Sequence, residues 1–299
     1  MKFARHLLSA VRIRVNRTAV TAGIFLMCCA SGMAQAPVLF FSDLTSGPNT
    51  GGEGNNGAYV TVFGNFLGSS QGGSTITVGG GLMVNCKQWG TPWTQLPSGQ
   101  SWIQKITCQL GPNAATGNIV VTVNGQASNG LPFTVRPGNI YFVSGTGSDS
   151  NTGSFTAPWR TLPHAVQNMA AEGVLYAMTG SDATVDDNMG MDAALSLYSE
   201  WCGPGPNGYP RAAIVYPGDT VTIGNPSLSP QLGIRTTGPE TGPDYVCTGY
   251  WTFAGFTLRG NGATALNGPS SNWRVVGNDF SCPNGNGEDA CMHTGQVPG

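Results

Sequence analysis

The sequence predicts an all-β protein made of a small β-sandwich followed by a stacked-coil solenoid. Three observations carry this. Charged residues are only 9% of the chain, while 45 of 299 residues are glycine and 40% are hydrophobic. That composition suits many short strands and turns and does not suit disorder. The stretch from Pro37 to Arg136 holds seven short runs with alternating apolar positions, divided by turn residues. Near the end, WTFAGFTLRGNG from Trp251 aligns with WRVVGNDFSCPNG from Trp273 at an offset of 22 residues, the period that one solenoid coil requires.

Residues 1–36 read as an export signal. Lys2, Arg5, Arg12, Arg14 and Arg17 form a basic region, Ala19 to Ala30 an apolar core, and Ala34-Gln35-Ala36 a small-x-small cleavage site. Cys28 and Cys29 invite a lipoprotein reading, but bulky Phe25, Leu26 and Met27 precede them where small residues are wanted. The apolar run is too short for a membrane span. Removing this segment takes five of the 13 basic residues and leaves eight against 15 acidic ones, a net charge of −7. That charge argues against nucleic acid or an anionic membrane as partner. The expected product is a secreted or cell-surface monomer. Its six cysteines, Cys86, Cys108, Cys202, Cys247, Cys282 and Cys291, are an even set in an exported chain, so disulfides are expected.

In the first module, residues 37–136, strands are expected over Pro37–Asp43, Ala58–Gly64, Ser74–Val78, Leu82–Cys86, Gln104–Leu110, Gly117–Val123 and Leu131–Val135, with Asn124-Gly125 as a hairpin turn. The segments YVTVFGNFLG, ITVGG and ATGNIVVTVNGQASNGLPFTV resemble the IPT/TIG family of immunoglobulin-like domains. The resemblance covers nearly the whole module and implies a non-catalytic spacer or binding domain. A long insert between Cys86 and Cys108 departs from the family pattern and holds Trp89, Trp93 and Trp102. Read as a surface loop, it offers indoles that stack on sugar rings. The other reading is a loop packed over the sandwich, its Trp side chains burying area and a disulfide pinning it. Gly51-Gly52 and Gly79-Gly80-Gly81 lack the Lys-Ser/Thr of a phosphate loop and are turns.

The second module, residues 139–299, opens on a strand, Ile140–Val143, a polar loop, and a helix from Thr161 as N-cap to Ala171. Short apolar runs follow at Val174–Met178, Ala193–Ser199, Ala212–Tyr216 and Thr220–Ile223, with Pro217-Gly218-Asp219 as a tight corner. The pattern YFVSGTGSDSNTGSFTAPWRTLPHA resembles the opening of bacterial secreted right-handed parallel β-helix proteins of the pectate-lyase-like group. The resemblance implies that the helix caps the first coil and that the rest is coils. In the last repeat, Ala263–Leu266 matches Asp289–Met292 at an offset of 26, so that coil bulges between Cys282 and Cys291. No C-terminal cap is visible, and the β-helix is expected to be truncated, incomplete at the C-terminus. Cys86–Cys108 would close the Trp insert and Cys282–Cys291 would clip the bulge. Cys202–Cys247 is assigned partly by elimination among about 15 pairings.

The family includes polysaccharide lyases, which use carboxylates to hold Ca2+, and hydrolases, alongside members of unknown or no activity. Its catalytic roles do not map onto this chain residue by residue. Asp182, Asp186, Asp187 and Asp192 are the densest acidic cluster, read either as a weak Ca2+ site or as a solvated loop. Asp149 to Gly153 has no Glu at the twelfth position, which is Arg160, and reads as a turn held by Asp and Asn side chains. Arg259 and Arg274 flank coil strands and read as solvated ladder edges or as groups facing a uronate. Asp279, Glu288, Asp289 and His293 give no defensible acid/base pair, and His164 reads as exposed and structural. Two function classes remain: an exported carbohydrate-active β-helix protein that binds or cleaves an extracellular polysaccharide, and a non-catalytic surface or adhesion protein.

Overall fold

The computed structural model describes residues 35–93, 102–188, 193–197, 204–227, 232–236, 250–260, 266–267, 272–283 and 291–293. The chain is mostly β. Its first part contains β1 (Val38–Ser42), β2 (Ser46–Gly47), a 3-10 turn (Glu53–Asn55), β3 (Tyr59–Asn65), β4 (Thr75–Val78), β5 (Gly81–Pro92), β6 (Gln104–Leu110), β7 (Gly117–Val123), β8 (Gln126–Ala127) and β9 (Leu131–Val135). These form one curled sheet in the order β1-β3-β6-β5-β4-β7-β9-β2, with β8 paired to β7. Asn124 and Gly125 both adopt positive φ, and Val123 pairs with Gln126, so the expected two-residue hairpin is present. Period-2 alternation turns Val60, Val62, Ile106, Cys108 and Leu110 into the concave core, all fully buried.

The Trp insert corrects the loop expectation. β5 continues through Trp89 to Pro92 and pairs along β6, with register shifts between Val84 and Gln88 and between Gln88 and Thr91. Asn85 and Gly90, both at positive φ, lie at those two shifts. Pairing satisfies backbone groups that a loop would leave to water. The Cys86–Cys108 disulfide ties the two strands together.

The second part contains β10 (Ile140–Val143), α1 (Leu162–Asn168), β11 (Val174–Ala177), β12 (Ala193–Leu197), β13 (Arg211–Val215), β14 (Thr222–Ile223), β15 (Leu232–Thr236), β16 (Trp251–Ala254), β17 (Thr257–Arg259), β18 (Leu266–Asn267), β19 (Arg274–Val276), β20 (Asp279–Ser281) and β21 (Met292–His293). All ladders here are parallel and fall into three sheets, β10-β11-β13-β16-β19, β14-β17-β20 and β12-β15-β18-β21. From β13 on, the chain visits the three sheets in one fixed order, three times over. Phe253 pairs with Val275, Leu258 with Phe280 and Leu266 with Met292, the registers that the two sequence offsets predict. The expected Cys282–Cys291 disulfide is present and links the end of β20 to the start of β21. Cys202 and Cys247 lie outside the described residues.

The helix is shorter than expected. Thr161 stands at its N-cap position in extended conformation but makes no capping hydrogen bond. Its hydroxyl donates to Asp149 Oδ2 at 2.8 Å, and Asp149 Oδ1 accepts from the N–H groups of Arg160 and Thr161. The Asp149 loop therefore holds the helix start, as an Asx-type turn. α1 buries Leu162, Ala165 and Val166 in the interior of the coils, beside Val143 and Leu175. Among the described residues no helix is long and apolar enough to cross a membrane.

The first parallel sheet is buried on both faces. Val143, Leu175, Ala177, Ala213, Val215 and Phe253 point into the coils. The alternate residues Phe142, Val174, Tyr176, Ala212, Ile214 and Ala254 join one apolar cluster with the curled sheet. A parallel strand covered on both sides reads as a continuous apolar run, as Val174-Leu175-Tyr176-Ala177 does. The connection is pinned by Arg136, which is 4% exposed. It donates to Ser46 Oγ at 3.0 Å, to the Glu172 carbonyl at 2.6 Å and to the Pro210 carbonyl at 3.2 Å, and lies over the Tyr209 ring.

Candidate functional site

The outer face of the curled sheet carries a row of paired polar and aromatic residues. Tyr59 stands opposite Gln109, Thr61 opposite Thr107, and Phe63 opposite Lys105. This face lies under the first parallel sheet instead of facing water. The Tyr176 hydroxyl crosses the junction and donates to the Tyr59 carbonyl at 2.7 Å. Two polar centres result.

The first centre is built on Glu53. Its Oε2 accepts from the Tyr59 hydroxyl at 2.5 Å and from the Tyr216 hydroxyl at 2.6 Å, and its Oε1 pairs with Lys87 Nζ at 3.0 Å. Asn85 Nδ2 donates to the Tyr59 oxygen and to Gln109 Oε1. Burial works to raise the Glu53 carboxyl, but the hydrogen bonds from Tyr216, Tyr59 and Lys87 win and hold it below its ordinary value. Burial and the adjacent carboxylate raise both phenols, so they stay protonated as donors. Every group here is satisfied, and Glu53 joins the 3-10 turn to the Tyr216 corner as a fastening.

The second centre is a cavity of about 270 Å³ between the curled sheet and the coil corners. Phe63 and Trp93 form an aromatic wall, and their rings lie 4.9 Å apart. Thr61, Thr107 and Gln88 supply a hydroxyl and amide wall. Thr61 Oγ1 and Thr107 Oγ1 lie 3.0 Å apart, and Thr107 donates to Gln88 Oε1 at 3.1 Å. Tyr216 to Thr220 closes the opposite side. Asp219 N bonds the Tyr216 carbonyl and Gly218 takes φ +96°, the tight corner expected from the sequence. Gly255 and Gly277, which match in the repeat, both turn at positive φ and line the cavity.

Besides Tyr216, three ionisable side chains line it. Asp43 is 3% exposed, and its Oδ1 accepts from the N–H groups of Leu44 and Thr61. Burial pushes the Asp43 carboxyl up to about 6, against the pull of these bonds and of the Arg274 charge. Lys105 is partly buried, and burial lowers its ammonium while Asp43 works the other way. Asp219 accepts from Thr179 N at 2.9 Å. An acid raised and an amine lowered in one cavity is a pattern of binding and catalytic sites.

The residues singled out in the sequence are divided. Trp93 lines the cavity. Trp89 is buried in the sheet core and its indole donates to the Leu67 carbonyl at 2.9 Å. Trp102 is half-exposed and meets Phe40 edge-on. Asp182 accepts from Thr222 N, Asp186 from Asn188 N, and Asp187 from Ser196 N and Oγ. Among the described residues no group of three ligating side chains could hold a metal ion. Asp192, Glu288 and Asp289 lie outside the described residues. Arg274 is no solvated ladder edge. It donates to the carbonyls of Asp43 and Ser42, because β19 lies against the curled sheet. Arg259 pairs with Asp279 at 2.6 Å, and His164 packs edge-on to Trp159.

Asp43 and Lys105 were not singled out from the sequence. Lys105, Thr107 and Gln109 alternate with Ile106 and Cys108 and read as the wet side of a strand. The available signal was the unbroken apolar run of β11, which needs a cover on both faces. No family model matches this chain, and no curated protein or solved structure matches it either.

Proposed function

We propose that this protein is an exported bacterial polysaccharide-binding protein, with an immunoglobulin-like sandwich of IPT/TIG type at residues 37–136 and a right-handed parallel β-helix of pectate-lyase-like type from residue 139. The observation that carries the reading is the junction cavity. It sets indole and phenyl rings beside hydroxyl, amide, ammonium and carboxyl groups, the mixture that a sugar ring with one apolar face and a polar rim requires. The parallel coils in the predicted registers and the two disulfides support the family resemblance and an oxidising compartment. The basic and apolar segment ending at Ala36 supports export, with a mature chain beginning at Pro37.

The test is a panel of acidic and neutral polysaccharides offered to the full chain with and without Ca2+. Retention in affinity electrophoresis reads binding, and absorbance of unsaturated products reads lyase cleavage. The reading expects retention by at least one polysaccharide. Failure of every polysaccharide to retard the protein overturns it.

A further inference from the structure

We infer that the junction cavity takes a single sugar ring bearing one carboxylate, anchored on the Lys105 ammonium, so that the protein reads chain ends or pendant residues of an acidic glycan. This rests on the carbohydrate reading above and adds the size, the charge and the anchoring group of the ligand.

Size comes first. The cavity holds about 270 Å³, below the roughly 300–1,000 Å³ of pockets that bury drug-sized ligands. It has room for one ring and none for a run of rings. Its walls are the paired strands β3 and β6 on one side and the turn Tyr216–Thr220 with Gly255 and Gly277 on the other. These are hydrogen-bonded elements and would not part to admit a chain lengthwise.

Charge comes next. Among the described residues the Lys105 ammonium makes neither a hydrogen bond nor an ion pair. The other charged groups around it are engaged. Asp43 Oδ1 is held by two backbone N–H groups, Asp219 by Thr179 N, and the Arg274 guanidinium by the carbonyls of Ser42 and Asp43. Asp43 acts on this ammonium only through space, against the lowering by burial. An ammonium drawn out of bulk water with no hydrogen bond is costly, and a ligand carboxylate relieves that cost through a charge-assisted hydrogen bond. The hydroxyls of Thr61 and Thr107 and the Gln88 amide stand beside it for ring hydroxyls, and Phe63 and Trp93 for the apolar ring face.

The experiment titrates the full chain calorimetrically with galacturonic acid and glucuronic acid, and with galactose and glucose as neutral counterparts. The acidic sugars are expected to bind about tenfold or more tightly than the neutral ones, and Lys105→Met to remove that preference while Lys105→Arg keeps part of it. With oligogalacturonates of increasing length, affinity per mole of chain ends is expected to stay constant. In a separate measurement that needs no variant, galacturonic acid should protect Lys105 from acetylation, read by peptide mass spectrometry. Equal affinity for neutral and acidic sugars, or no protection of Lys105, overturns the inference. Polysaccharide retention that is unchanged in Lys105→Met leaves the carbohydrate reading standing and removes this one. Absence of binding to every sugar and polysaccharide removes both.

Discussion

Phe253 lies directly beside Val275 across the β16–β19 ladder, and the Phe253 ring stacks on Trp273 with centroids 5.4 Å apart. The same ring meets Trp251 and Phe256 inside the coils. Phe253 is fully buried, and in a stack of coils each layer depends on its neighbours. Phe253→Ala is therefore expected to destabilise the protein by about 3–5 kcal/mol, read as a lowered urea midpoint. A shift of less than about 1 kcal/mol would mean that the aromatic column does not hold the coils.

That ladder was legible in the sequence because its two coils have nearly equal lengths. Earlier coils were not. Val174 pairs with Ala212 and Arg211 with Trp251, so loops of differing length separate equivalent strands and no repeat shows. β15 was missed, and so were the short strands β2 and β8. In the curled sheet the alternation of β3, β6 and β7 gave nearly the observed boundaries. The β5 extension was hidden, since its bulges at Asn85 and Gly90 break the period of two. The cavity was hidden for a different reason. Its polar face belongs to one part of the chain and its cover to another, and no local pattern on β6 tells burial under Ile214 and Tyr216 from exposure to water.

Glu53 and Tyr216 are 163 residues apart in sequence and joined by a 2.6 Å hydrogen bond. Removing either partner should loosen the fastening between the curled sheet and the coils. Glu53→Gln and Tyr216→Phe are each expected to cost about 1–3 kcal/mol, because a partly buried donor or acceptor loses its partner. The double variant should cost less than the sum, with a coupling of about 0.5 kcal/mol or more. Strict additivity in a urea-monitored double-mutant cycle would show that the two groups do not act together.

The Cys86–Cys108 disulfide spans 22 residues and should contribute about 3 kcal/mol by restricting the unfolded chain. Replacing both cysteines by serine is expected to lower stability by about that amount. Peptide mapping under non-reducing conditions should recover Cys86–Cys108 and Cys282–Cys291, with Cys202–Cys247 as the expected third pair. Recovery of Cys86 joined to any cysteine beyond residue 139 would contradict the sheet pairing of β5 with β6.

Asp43 should make stability and ligand binding depend on pH in one shared window. Its folded carboxyl is raised to about 6 from an ordinary 3.8. The folded state therefore keeps a proton that the unfolded chain has already released. The stabilisation from this group is fully present below the unfolded value, is lost as pH rises towards 6, and is flat above that. A shift of this size in a fully buried group corresponds to on the order of 3 kcal/mol across the window. Asp43→Asn keeps an oxygen that accepts from the N–H groups of Leu44 and Thr61, and carries no proton equilibrium. Urea unfolding between pH 4 and pH 8 is therefore expected to show a decline in the wild type that is absent in the variant. The same proton alters the cavity charge seen by Lys105, with Asp219 and Arg274 as the other charged neighbours. Galacturonate binding should accordingly tighten in the wild type as pH falls through about 6. In Asp43→Asn it should not change across that range. Parallel pH profiles for the two proteins, in unfolding or in binding, would place the titration on another group.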